Sequence, residues 1–272
     1  MSCFDAIELV ARSSKLAAIL LIFASMQRYF LELMYKGAAY SGFQVQENAP
    51  TVQAAVEKAF LVLQKQPVAL TGSSRTDTGV HARQNFFHFD YEAPLHPQFL
   101  YKINAILPRD IVIKNVYPVR ADAHCRFDAL SRSYRYYIYR QKNPFFEDRA
   151  YYFPYALDIG LLHEAAAVVK AYTDFTSFSK RNTQVKTFVC DIIESEWTQS
   201  DHQLVYYIRA NRFLRGMVRG ITGTMLQVGR GKLTIDGLRK VIEAKDCRGA
   251  DFAVPGHGLF LESVEYPEGL LM

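Results

Sequence analysis

A short loop of small polar residues, Gly72 to Ala82 (GSSRTDTGVHA), holds the aspartate whose surroundings offer the most chemistry. Asp77 follows a threonine and precedes Thr-Gly, so the chain can turn sharply and leave the carboxylate at the loop's tip. Gly79 is expected to supply a positive φ angle. Arg75 stands two residues before Asp77 and His81 four after it, which brings cations within reach. An aspartate in such a loop commonly caps its own turn and does no chemistry. Asp-Thr-Gly is also the tripeptide of aspartic proteases, which work with two carboxylates sharing one proton. Here DTG occurs once, in a chain too long for the type that dimerises, and Arg-Thr stands where apolar strand residues belong. That rules against the protease. Spacing alone does not decide between a capping and a catalytic aspartate.

Other residues carry charge in patterns. Arg212, Arg215 and Arg219 recur at i, i+3 and i+7, which on a helix puts three cations on one face. Gly216, Gly220 and Gly223 would form a second stripe that permits close packing. Arg83, Arg126, Arg132 and Arg135 flank further motifs. The net charge is +5, a mild excess that suits a polyanionic partner without demanding one. Half of the 272 residues are apolar, enough for a core without covalent staples. Cys3, Cys125, Cys190 and Cys247 are widely spaced, and His81 and His88 lack zinc-like spacing, so neither disulfides nor a metal is expected.

These groups need a frame, and the periodicities supply one. Arg28–Tyr35 alternates as a half-buried strand does. Thr51 caps a helix with apolar positions at 52, 55, 59, 60 and 63. Strands follow at 68–71, 85–91 and 111–119, with a helix over 97–107 between the last two, which is the split βαβ pattern. The second half repeats the rhythm: strands at 133–140, 187–198, 203–210 and 259–266, helices at 159–172, 213–228 and 235–244. The expected fold is α+β, two ferredoxin-like (split βαβ) halves sharing an antiparallel sheet with a central cleft. The N-terminal half spans 26–125 and the C-terminal half 126–272. Residues 1–25 contain an apolar run, Leu16 to Ala24, preceded by Arg12 and Lys15 but too short to span a bilayer, with Asp5 and Glu8 standing in what would be a signal peptide's positive n-region. They are expected to be an upstream extension ahead of a natural start at Met26.

Seven segments resemble the tRNA pseudouridine synthase A family, in that family's order. They are Tyr40-Ser-Gly-Phe-Gln44, the GSSRTDTGVHA loop, Asn104-Ala-Ile-Leu-Pro108 with Asp110-Ile111, and Ala129 to Tyr136. Asp174 to Phe178, Phe213 to Arg219 and Pro255 to Phe260 complete them. The likeness covers roughly residues 27 to 267. Ser74 departs from it, standing where the family usually has glycine. The resemblance implies isomerisation of uridine to pseudouridine in tRNA, at uridines 38 to 40 of the anticodon arm. It implies no cofactor and no metal, a homodimer, a cytoplasmic location and no membrane. It makes Asp77 the catalytic nucleophile and Arg219 its ion-pair partner. Tyr134 becomes the residue that stacks on the extruded base and assists proton transfer, and Arg75 the filler of the gap that base leaves. Arg212 and Arg215 become substrate contacts. Two rivals remain: a catalytically inactive RNA-binding relative, and an exported αβ protein hinted at by the apolar N-terminus.

Overall fold

The computed structural model describes residues 26–92, 94–180, 185–200 and 202–271. The expectation for residues 1–25 lies outside them. In chain order the elements are β1 (Met26–Tyr35), α1 (Val52–Gln64), β2 (Thr71–Gly72), β3 (His81–Glu92), α2 (Phe99–Ile106) and β4 (Ile111–Val119). Then come β5 (Ser131–Tyr139), β6 (Tyr151–Tyr152), α3 (Ile159–Ala171), β7 (Ile192–Gln199), β8 (Leu204–Ala210), α4 (Met217–Gly229), α5 (Ile235–Glu243) and β9 (Leu259–Glu265). The strands form one sheet in the order β4-β1-β3-β9-β5-β8-β7, with β2 on β3 and β6 on β5. It is antiparallel except where β3 meets β9 and β5 meets β6. Among the described residues, no helix is long and apolar enough to cross a membrane.

Local chemistry accounts for the element ends. The Thr51, Asp158 and Thr234 side chains each accept an amide hydrogen from the first turn of α1, α3 and α5. In β1, Tyr29, Leu31 and Leu33 are buried on one face with Phe87 and Phe89 of β3, and Phe60 of α1 meets Phe89 edge-on at 5.0 Å. Each such aromatic contributes about 2–3 kcal/mol on burial. Helix α1 packs on α2, while α3, α4 and α5 pack on one another. One continuous core underlies both groups.

The halves meet at a short seam. Strands β3 and β9 pair in parallel only at His81–Phe260 and Ala82–Leu261. Beyond it a bulge in β3 sets two of its residues, Arg83 and Gln84, against the single Met34 of β1, between Leu33–Asn85 and Tyr35–Ala82. Where the strands part, the Gln84 side chain replaces backbone pairing. Its oxygen accepts from the Val264 amide, and its nitrogen donates to the buried Glu32 carboxylate.

Four expected elements change: the strand expected at 68–71 is only Thr71–Gly72, the one expected at 187–198 starts at Ile192, and β3 and α4 also shift. Strand β3 starts at His81 rather than at residue 85, so the polar loop is shorter than expected. Helix α4 starts at Met217 rather than at residue 213, because Gly216 takes φ +76° and turns the chain into the helix. The pair Tyr151–Tyr152 was not foreseen as a strand.

Candidate active site

Loop 73–80 leaves β2 and enters β3, and both ends are pinned. The Asn85 amide group donates to the Ser74 carbonyl at 2.9 Å, and the Tyr35 and Thr76 hydroxyls share a hydrogen bond at 2.8 Å. The Phe43 amide donates to the Thr76 carbonyl and the Gly79 amide to the Tyr40 carbonyl. Motif residues 40–44 therefore serve as the loop's scaffold, and Tyr40 is itself held by its hydroxyl on Asp110 at 2.7 Å. Gly79 has the expected positive φ, +76°, and the Val80 amide closes the turn on the Asp77 carbonyl at 3.2 Å.

The turn presents Asp77 to the first turn of α4. Arg219 Nη1 lies 3.4 Å from Asp77 Oδ2, with the two side chains 17% and 25% exposed. A two-point clamp on the carboxylate is not formed. The guanidinium instead spends its other donors on backbone: Nε on the Val254 carbonyl at 2.8 Å and Nη2 on that of Phe252 at 3.4 Å. The arginine is thus fixed from behind and offers one edge to the aspartate. Segment 251–254 reaches it because α4 carries glycines on that side: a Cβ at Gly223 would sit 2.2 Å from the Asp251 carbonyl. Gly220 and Gly223 pack against this segment, on Phe252 and Asp251, whereas Gly216 faces the Lys180 side chain.

Tyr134 lies in β5, 8% exposed, with the Phe213 ring edge-on to it at 5.0 Å. Burial pushes its phenol up to about 12; Arg132 opposes that and the charge of Asp77 adds to it. Asp77, Arg219 and Tyr134 are therefore brought together from β2–β3, α4 and β5. Phe213, Tyr134's partner, was missed as a site residue, although it opens one of the quoted motifs.

The arginine stripe does not survive. Arg212 and Arg215 lie in the turn before α4, so the three cations do not share a helical face. Arg215 is exposed. Arg212 instead lies close enough for its charge to act on Arg126 and Arg132, and Arg75 of the loop acts on Arg126 as well. Desolvation pulls Arg126 below its usual value, and the charges of Arg75, Arg132 and Arg212 pull it further. Arg132 is buried and likewise lowered, with its guanidinium bonded to the carbonyls of Asn211 and Arg126. None of the four has an ion-pair partner among the described residues.

One cluster escaped the spacing argument. Ligand atoms of His88, His124 and Cys125 lie within 4.8 Å of one another, assembled from β3 and the segment before β5. The donor set would suit a soft metal in kind, but its surroundings do not. The Cys125 thiol donates to the Thr71 carbonyl at 3.2 Å, burial holds it up at about 12, and Arg126, Arg132 and Arg28 lie close enough to act on it. No carboxylate belongs to the group. The three side chains form a hydrogen-bonded pin: His88 Nδ1 takes the Cys125 amide at 3.4 Å, and His124 Nδ1 takes that of Arg126 at 3.1 Å.

Known proteins share this chain's sequence almost end to end. A profile of the family described as tRNA pseudouridine synthase matches residues 172–267. The chain is 49% identical over 247 residues to tRNA pseudouridine synthase A of Parabacteroides distasonis, across 90% of this chain and 98% of that one. It is 47% identical over 252 residues to the namesake in Porphyromonas gingivalis, across 91% of this chain and 100% of that one. For Bacteroides thetaiotaomicron the identity is 47% over 249 residues, across 90% and 93% respectively.

Proposed function

The chain belongs to the tRNA pseudouridine synthase A family, and from that premise we propose that it isomerises uridine to pseudouridine in tRNA with Asp77 as the catalytic carboxylate. The observation that carries the reading is the Asp77–Arg219 pair, two residues 142 positions apart held 3.4 Å from each other. The reaction breaks the N1–C1′ bond, rotates the base and joins C1′ to C5, and the proton on C5 is lost. Asp77 starts it, either by bonding to C1′ or by removing the proton on C2′, and a kinetic isotope effect from deuterium at C2′ separates the two. Arg219 sets a positive charge against the carboxylate where the base displaces water. Tyr134 packs against the extruded base. A phenol held at about 12 stays neutral at working pH, so it acts as a surface and a hydrogen-bond donor.

The same reading extends to features that rest on the family. The substrate region is the anticodon arm at uridines 38 to 40, the protein works as a homodimer in the cytoplasm, and Arg75 fills the gap left by the flipped nucleotide. The halves 26–125 and 126–272 are two split βαβ units. Strand orders β4-β1-β3-β2 and, with the two-residue β6 set aside, β9-β5-β8-β7 support this, since each then runs fourth, first, third, second in its own half.

The test uses tRNA tritiated at uridine C5. Wild-type protein is expected to release label to water, and Asp77→Asn to release none while still binding tRNA. Full release by Asp77→Asn would remove Asp77 from the mechanism. Binding without release by the wild type would mark an inactive RNA-binding relative.

A further inference from the structure

The turn at residues 124–128 keeps a large apolar ring in water at the edge of the unpaired arginines. Phe127 is 73% exposed. One side of it is occupied: the His124 ring lies 4.2 Å away by centroid, tilted by 39°, and the Arg126 guanidinium stands 5.7 Å from its centre. An exposed phenylalanine on a loose loop would mean little. This one projects from a turn whose backbone is held at several points. The Phe127 and Asp128 amides both donate to the His124 carbonyl, and the Asp128 carboxylate accepts from the His124 amide at 3.0 Å. Tyr266 donates its hydroxyl to the Cys125 carbonyl at 2.5 Å, and His88 takes the Cys125 amide. The pin described above therefore fixes the backbone from which the ring projects.

Its neighbours say what the free side is for. Arg126 is crowded by Arg75, Arg132 and Arg212, and Arg75 belongs to the loop that carries Asp77. Like charges this close, with no carboxylate among the described residues to neutralise them, are relieved by an anionic chain, and phosphates at nucleotide spacing provide one. A rigid aromatic ring beside a phosphate track is what a splayed nucleobase stacks on, and any base has a π face to offer.

We propose that Phe127, held by the His88–His124–Cys125 pin, is a stacking shelf for an unpaired base of the RNA that neighbours the flipped uridine, with Arg126 on the adjoining phosphate. This deepens the function proposed above and rests on it.

The experiment uses anticodon stem-loop RNAs carrying 2-aminopurine at each loop position in turn, bound to the full-length Asp77→Asn protein so that no turnover occurs. At one position the fluorescence is expected to be quenched on binding. Phe127→Ala is expected to abolish that quench and weaken binding roughly tenfold, whereas Phe127→Tyr keeps both. Because the ring is mostly solvated, thermal unfolding of Phe127→Ala should match its parent, which separates a lost shelf from a lost fold. With active-site Asp77 restored, Phe127→Ala is expected to raise KM for tritium release and leave kcat nearly unchanged. Unaltered quenching and binding within twofold in Phe127→Ala overturn the shelf. So does weakened binding with no quenched loop position in the parent. Tritium release by the wild type is scored separately, so loss of the shelf and loss of the synthase reading give different results.

Discussion

Strand β5 has two faces, and its arginines meet different fates on them. Arg135 projects on the face where it lies opposite Tyr207 of β8, 5.1 Å from that ring, with Glu262 at 3.9 Å. Glu262 also binds Arg83 at 3.1 Å, and Arg209 on the same face is held by Glu194 and Glu265. Every positive charge there has a carboxylate. One and three residues back, on the other face, stand Tyr134 and Arg132, and the arginines gathered around Arg132 have no ion-pair partner among the described residues. A strand's period of two thus sorts similar residues into a neutralised set and a set left with unmet charge. On the function proposed above, the RNA side is the one whose arginines lack ion-pair partners among the described residues.

The contrast can be broken by substitution. The largest effect is expected at the one site arginine that does have a carboxylate, through that carboxylate. Asp77→Asn should lower tritium release at least about a thousandfold, measured in single turnover. Arg219→Ala should lower kcat roughly a hundredfold, the scale for removing a preorganised charge from a reacting centre. Arg219→Lys should fall between, because an ammonium cannot bond Asp77, Val254 and Phe252 in the same fixed plane. Arg209→Ala, equally well paired but on the other face, should leave kcat within twofold; a large loss there would erase the distinction between the faces.

Binding comes next. Arg126→Ala and Arg212→Ala should each weaken tRNA binding about five- to tenfold and shrink the salt dependence by about one counterion. Arg83→Ala and Arg135→Ala should do neither. If all four behave alike in a filter-binding titration against salt, unmet charge is not what the RNA reads.

The smallest expected effect is on stability, and it arises at the seam. His81 Nδ1 accepts the Gly37 amide at 3.1 Å, its Nε2 sits 3.1 Å from the His257 carbonyl, and its ring stacks on Phe260. Only the neutral ring can accept at Nδ1. Desolvation lowers both His81 and His88 to about 4. A lowered pKa in the fold means that the unfolded chain binds more protons below about pH 6.5. The stabilisation is therefore complete above that value and is lost as pH falls toward 4. The melting temperature should drop by several degrees between pH 7 and pH 5. A flat profile there would show that neither ring is held neutral.

Much of this was legible in the residues. Thr51, Ile159 and Leu259 begin or cap elements where periodicity put them, because hydrophobic alternation and capping side chains act within a few residues of themselves. The motifs singled out Asp77, Tyr134 and Arg219. Where propensity and tertiary packing competed, reading failed. Residues 213–216 have helical spacing, yet Gly216 turns left-handed and Arg212 goes to Arg132 instead of Arg219. His88 and Cys125 look unrelated at 37 positions apart, and Phe127 looks like one more core aromatic.

The order of the elements and the caps at Thr51, Asp158 and Thr234 depend on short-range steric and hydrogen-bonding preferences, which a linear string carries. Which arginines lack acids, which ring stands in water, and which single edge of Arg219 faces Asp77 depend on chain segments more than a hundred residues apart arriving at one place. Only the closed sheet, with β9 slotted between β3 and β5, brings them there, because electrostatic and stacking interactions act through space and not along the chain.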